Sequence, residues 1–271
     1  MDARPTLSTM RTSNEREAHA QVVEAVARRL DELRASLVPG ASVLPEMIAP
    51  WSLLQRAGSL FDGIGWLLRG PSEASIWIVA RSLADLAITV AWLRVDPDTH
   101  LKLWTAEDCR RQLELLPELH RRMQIGEPDR DALERATAWK RSVVAQARQL
   151  ARDKHIPRVG KRGPLVPNLK ARAEAVGTDA TRVCPDSLFF SPWSEWGHTG
   201  AGSLALRVEG GMASFEEGPP RDPVQVLSVT CALYAYVLSE LSRWIGLGIE
   251  DECDELRQEL VRSDALAARL D

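Results

Sequence analysis

Apolar residues recur at helical spacing along nearly the whole chain. Val22, Val26, Leu30, Leu33 and Leu37 lie three or four apart, so they form one stripe on a helix with a charged outer face. Asn14 followed by Glu17 has the form of a capping box at its start, and Pro39-Gly40 ends it. A second helix is predicted from about Pro50, with Trp51, Leu54, Phe61, Ile64 and Leu68 apolar, as far as Gly70-Pro71. A third runs from Ser72 to about Val95; its stretch SIWIVARSLADLAITVAWL is apolar on every side and so should be enclosed by protein. Further helices are predicted over about 98–123, 129–154, 168–176, 223–244 and 251–270. Residues 203–217 alternate instead, SLALRV and MASFEE flanking Glu209-Gly210-Gly211, which is the pattern of a β-hairpin. Residues 1–13 carry neither pattern and are expected to be disordered. The fold expected is all-α, a single helical-bundle domain over residues 14–271 with seven or eight helices and one inserted hairpin.

Two charged residues, Arg81 and Asp85, interrupt the apolar third helix. Burying a guanidinium and a carboxylate costs several kcal/mol per ion unless they are paired and hydrogen-bonded. At spacing i,i+4 they share a helix face and can satisfy one another. Such a pair is either a structural pin or part of a site, in which Arg81 holds an anion and Asp85 orients it or a nearby imidazole. The same two charges argue against insertion of this helix in a membrane.

A net charge of -4 argues against a broad binder of nucleic acid or anionic membrane. It leaves room for a local patch: residues 152–172 carry Arg152, Lys154, Arg158, Lys161, Arg162, Lys170 and Arg172 against the single acid Asp153. Four scattered cysteines without a CxxC pair read as free thiols, and the first residues lack the apolar core of a signal peptide. A cytoplasmic setting is therefore expected.

His198 stands in WSEWGHTGAG, where Gly197, Gly200 and Gly202 let backbone or a ligand come close. Ser194 precedes it by four residues, and Trp193 and Trp196 are placed to wall a pocket for a flat or apolar ligand. Glu195 and His198 have the spacing of an ExxH metal pair, but a di-iron bundle needs that element twice and no second one exists. No metal and no cofactor is expected. There is no GxGxxG after a strand, no P-loop, no GxSxG and no HExxH. The tryptophans at helical positions, Trp51, Trp66, Trp77, Trp92, Trp104 and Trp139, are expected in the core.

The chain resembles a family of bacterial helical proteins catalogued as a domain of unknown function. The family's apolar helix with an R-S-x-x-E/D core, Trp-rich end and Asp-Pro step is here ARSLADLAITVAWLRVDPDTH. A short helix and a Ser-x-x-x-His step follow, here LKARAEAVG and SLFFSPWSEWGHTG, so that the resemblance covers about residues 50–205. It differs in having Phe189 and Phe190 where tyrosines are usual, and Asp85 where Glu is commoner. The resemblance implies that Arg81, Asp85, Ser194 and His198 converge. Arg148 and His155, with six residues between them, also fit the R-x4-6-H signature of the HEPN superfamily, many of whose members are dimeric, metal-independent ribonucleases.

These resemblances imply a HEPN-like ribonuclease of toxin or phage-defence type. His198 or His155 would be the general base, Arg81 would stabilise charge on phosphate, and Asp85 would orient either. Arg158, Lys161 and Arg162 of the basic loop would hold the RNA backbone, with Ser194, Trp193 and Trp196 on the substrate side. Two alternatives stay open, a regulatory helical protein that binds a small anion at Arg81 and His198, and a non-catalytic structural dimer. A homodimer is expected because the first and last helices carry apolar stripes and the HEPN analogy requires a two-fold partner.

Overall fold

The first helix begins its inward line with a histidine. In the computed structural model, which describes residues 13–37, 47–69, 73–122, 127–156, 163–177, 205–209, 212–216 and 223–269, α1 spans Ser13–Ser36. His19, Val23, Val26, Leu30 and Leu33 are its buried positions, spaced four-three-four-three. Val23 thus takes the place expected of Val22, which is half-buried, because the line starts one turn earlier at His19. The elements that follow are α2 (Ile48–Leu67), α3 (Glu73–Val95), α4 (Pro97–Arg122), α5 (Glu127–Asp153), α6 (Leu169–Val176), β1 (Ala205–Glu209), β2 (Met212–Glu216), α7 (Pro223–Ile245) and α8 (Glu250–Arg269). Among the described residues the class is all-helical with eight helices, each within a few residues of the bounds expected from periodicity. Strands β1 and β2 pair antiparallel, in register from Ala205↔Glu216 to Glu209↔Met212.

The chain divides into two compact units, one of residues 1–91 with 178–271 and one of residues 92–177. In the first, α7 is the centre: α1, α2 and α8 each pack on it, and α1 also packs on α8. Its middle carries Cys231, Leu233, Tyr234, Val237, Leu238 and Leu241, all fully buried, so it must be covered on more than one side. Gly246, with φ +69, ends α7; its N–H and that of Leu247 both reach the Ser242 carbonyl, at 2.7 and 3.3 Å. The Ser242 hydroxyl accepts from Ile249 N–H at 3.2 Å and ties the turn to the start of α8. His19 Nδ1 meets Ser263 Oγ at 3.0 Å; because Ser263 donates to the Leu260 carbonyl, its oxygen is the acceptor and His19 the donor.

In the second unit α4 packs against α5. The carboxylate of Glu107, only 5% exposed, pins the approach to α6: it accepts from the Leu165 N–H at 2.8 Å, while Leu165 buries its side chain completely. Arg110 Nη2 donates to the same carboxylate at 2.8 Å and Arg111 Nε at 3.2 Å. Asn168 then caps α6, its side chain accepting from Ala171 N–H at 2.9 Å.

The tryptophans correct an expectation. Trp92 is 1% exposed, but Trp66, Trp104 and Trp139 are 73%, 37% and 59% exposed. At about 100° per residue, Trp66 lies well off the inward line of Phe61 and Ile64, and Trp104 lies one position off Leu103. Composition drew these side chains to the core, whereas helix phase holds them outside it. Trp51 is half-buried, and the side chain of Trp77 lies outside the described residues.

Candidate functional site

α1 and α2 both rest on α7, and the side chains that bridge them are charged. Arg34 of α1 donates from Nη1 to Asp62 Oδ1 of α2 at 2.9 Å, and its Nη2 lies 3.3 Å from Asp31 Oδ1 one turn earlier on α1. The guanidinium can reach α2 because Gly58 has no side chain there: a Cβ at Gly58 would stand 2.8 Å from Arg34 Nη1 and 3.0 Å from its Cδ. On the same spot converges Tyr234 of α7, whose hydroxyl would be 3.5 Å from that Cβ.

Tyr234 is fully buried and its hydroxyl makes no hydrogen bond of ordinary geometry, although Arg34 is near enough to act on it. Burial pushes its ionisation well up, so the hydroxyl is neutral and holds a proton with no acceptor. The ring stacks on Phe61, centroids 4.5 Å apart and planes 15° apart. Asp31 is held above the usual carboxylate range, first by desolvation and also by repulsion from Asp62, against the pull of Arg34.

Two cavities flank this bridge. One of about 340 Å³ is lined by Arg34, Leu54, Gln55, Gly58, Ser59 and Asp62 among others. The other, about 530 Å³, has Asp31, Phe61, Asp62, Gly65, Trp66 and Leu227 in its walls, with Glu24, Arg28 and Arg69 also lining it. Asp62 belongs to both. The arrangement provides fixed donors and acceptors beside apolar and aromatic wall, which is what recognition of a small polar molecule requires.

Of the residues expected to form a site, Arg81 and Asp85 are described, and both are half-buried on α3 rather than enclosed. The Asp85 carbonyl accepts from Thr89 Oγ1 at 2.6 Å, and the Asp85 Oδ1 atom is buried. Ser194 and His198 lie outside the described residues, as do Trp193, Trp196, Arg158, Lys161 and Arg162. His155 is described: it is exposed and follows α5 with φ +53, a left-handed conformation that closes the helix through its N–H to the Arg152 carbonyl at 3.1 Å. One histidine escaped attention. His100 Nδ1 donates to the Trp92 carbonyl at 2.6 Å and its ring stacks on Trp92 at 3.9 Å, which holds the half-buried imidazole in one orientation. Spacing alone hides these groups, since Arg34, Asp62 and Tyr234 come from three helices far apart in sequence. The only local hint was Asp31 and Arg34 beside the buried line of α1.

Among the described residues no group of three or more His, Cys, Asp or Glu is placed to hold a metal, and no helix is long and apolar enough to cross a membrane. These features define an all-helical protein with a polar groove in one of its two units. The chain belongs to the DUF5677 family, a family of unknown function, which it matches over residues 47–212. No curated protein and no solved structure matches it. The match includes α2, with Gly58, Asp62 and Trp66, but neither α1 nor α7, so Arg34, Asp31 and Tyr234 lie beyond it.

Proposed function

We propose that this chain is a helical ligand-binding protein that recognises a small molecule in the groove between α1 and α2. The observation that carries this reading is the pair of cavities that share Asp62, walled by charged side chains beside apolar and aromatic ones. A thermal-shift panel of small cations, anions and neutral polar compounds tests it, with Gly65→Leu as the control that fills the larger cavity. At least one compound should raise the midpoint of the natural protein and leave Gly65→Leu unmoved. A panel in which every shift persists in Gly65→Leu removes the groove as the site.

A HEPN-like, metal-independent ribonuclease is the second reading. Its specific support is the end of α5, where Arg148 and Arg152 lie one turn apart and His155 stands exposed just beyond, at the start of the basic segment 152–172. Natural protein, His155→Ala and His198→Ala should be assayed on single-stranded RNA in EDTA. Loss of cleavage in one variant identifies the general base, whose removal costs about a hundredfold or more. Absence of cleavage by the natural protein, or cleavage that survives both substitutions, ends this reading. Either function is proposed for a cytoplasmic homodimer with the hairpin of about 203–217 inserted in the helical fold. Light scattering at micromolar concentration tests the dimer.

A further inference from the structure

We infer that two copies of this chain meet through α5, the two helices antiparallel across a two-fold axis with Trp139 of each against Val143 of the other. This rests on the homodimer reading and names the surface that carries it. The stripes of the first and last helices are already covered within the chain: α1 packs its inward line on α7 and α8, and α8 buries Cys253, Leu256 and Leu260. α5 keeps an apolar line open. Ala132, Ala136, Trp139, Val143 and Leu150 recur at four-three-four-seven, with Gln146 in the gap, so they share an arc about 60° wide. Trp139 is 59% exposed, Ala132 and Ala136 are exposed, and Val143 and Leu150 are half-buried. The buried positions of the helix, Ala147 and Ala151, lie about 70° round from this line, so its packing on α4 leaves the line uncovered. A contiguous apolar face of this kind marks an interface.

Charge chooses the occupant and its direction. Residues 127–139 of α5 carry four acids and two arginines, a net −2, whereas residues 140–153 carry four basic residues and one acid, a net +3. Parallel copies would set like halves together, and antiparallel copies set each acidic half against a basic one. Charge divided by halves is matched by the same helix reversed, which a uniformly charged lipid surface is not. The apolar line gives the same answer. With the axis near residue 141, Trp139 meets Val143 and Leu150 meets Ala132, each larger side chain facing a smaller one. That axis also brings Asp131 of one copy opposite Arg152 of the other, both exposed and on the same flank of the line.

From Ala132 to Leu150 the line is about 27 Å long and one helix wide. A patch of that size is at the small end of specific interfaces, so dissociation in the micromolar range is expected. Such a dimer holds the two copies of His155 about 40 Å apart, since each lies about 14 residues from the axis at about 1.5 Å per residue. No site composed of Arg148 and His155 from both copies forms across it, so the inference stands apart from the ribonuclease reading.

Sedimentation equilibrium of the full chain at low ionic strength, from about 1 to about 200 μM, tests this surface. The natural protein should be dimeric at the top of that range. Trp139→Glu should sediment as a monomer throughout, as should Ala136→Glu, a second exposed site where glutamate favours the helix; circular dichroism identifies the variants that keep their fold. Asp131→Arg should weaken the dimer by about tenfold, because arginine then faces Arg152 at two symmetric places. Adding Arg152→Asp to the same chain should restore it, since the exchanged pair again recurs twice. A dimer that persists in a folded glutamate variant overturns the inference and leaves the homodimer reading to another surface. A double variant no tighter than Asp131→Arg overturns the antiparallel arrangement and the inference with it. A natural protein that is monomeric at every concentration ends both readings, and pelleting of that monomer with anionic vesicles, lost in Trp139→Glu, would assign the face to a lipid surface instead.

Discussion

Replacing Gly65 of α2 with alanine is expected to stabilise the protein, and the same replacement at Gly58, seven residues earlier in the same helix, is not. Glycine inside a helix costs about 1 kcal/mol relative to alanine, because its unfolded backbone is the freer. At Gly65 nothing lies within 4 Å of the new methyl, so the full gain should appear, about 2 °C in the thermal midpoint for a chain of this length. At Gly58 the methyl would stand 2.8 Å from Arg34 Nη1 and 3.0 Å from its Cδ, so the guanidinium must move. Moving it gives up the contacts to Asp62 at 2.9 Å and Asp31 at 3.3 Å. Arg34 is 31% exposed and its partners 47% and 50%, so solvent screening limits the combined loss to about 1 kcal/mol. The gain and the loss then cancel, and Gly58→Ala should fall about 1 kcal/mol short of Gly65→Ala. In an Arg34→Ala background the obstacle is gone, and the nearest remaining atom is the Tyr234 hydroxyl at 3.5 Å, an ordinary contact. There Gly58→Ala should recover its stabilisation, giving a coupling of about 1 kcal/mol in a double-mutant cycle read by urea denaturation. Equal stabilisation at the two glycines in the natural background, or a coupling indistinguishable from zero, would refute the account of why Gly58 is glycine.

Three other outcomes are expected. Tyr234→Phe removes a buried hydroxyl that makes no hydrogen bond of ordinary geometry, with Arg34 its close polar neighbour on the same spot, so it should be neutral or stabilise by up to about 1 kcal/mol; destabilisation by more than about 1 kcal/mol in chemical denaturation would mean the hydroxyl is bonded. Glu107→Gln should cost about 2–3 kcal/mol at neutral pH, since Arg110 and Arg111 lose a buried charged acceptor. Burial alone would raise the Glu107 carboxyl, but the Arg110 and Leu165 hydrogen bonds outweigh it and hold the group below its ordinary value of 4.5. Its contribution is therefore complete above 4.5 and is lost as pH falls through the lower folded value, so the gap between natural protein and Glu107→Gln should narrow below pH 4.5; a gap that widens there contradicts this sign. Cys231 and Cys253 are fully buried and their thiols are pushed up by desolvation, that of Cys253 to about 12, so both should resist alkylation at pH 8 until the protein is unfolded, as mapped by mass spectrometry.

The helices were legible in the chain because each signal is local. A 3.6-residue period, or a Gly-Pro step just past a helix such as Gly70-Pro71, can be read within one or two turns, and each marks an element close to its observed bounds. The family resemblance over about 50–205 likewise rests on contiguous motifs and agrees with the matched span 47–212. Burial was legible only where the stripe is unbroken. Trp66 and Trp139 have the composition of core residues, but which side of a helix is covered depends on its neighbours, and those are set by tertiary packing. The groove was not legible at all. Arg34, Gly58, Asp62 and Tyr234 come from α1, α2 and α7, and no spacing within any one helix announces that they meet. Arg81 and Asp85 were conspicuous for the opposite reason: charge in an apolar run stands out in a one-dimensional reading, yet both reach the edge of solvent on α3. Local periodicity determines which segments are helical, because helix hydrogen bonds close within four residues. Which charged groups converge is decided only by how α1 and α2 lie on α7, since that choice sums packing over surfaces far apart in the chain.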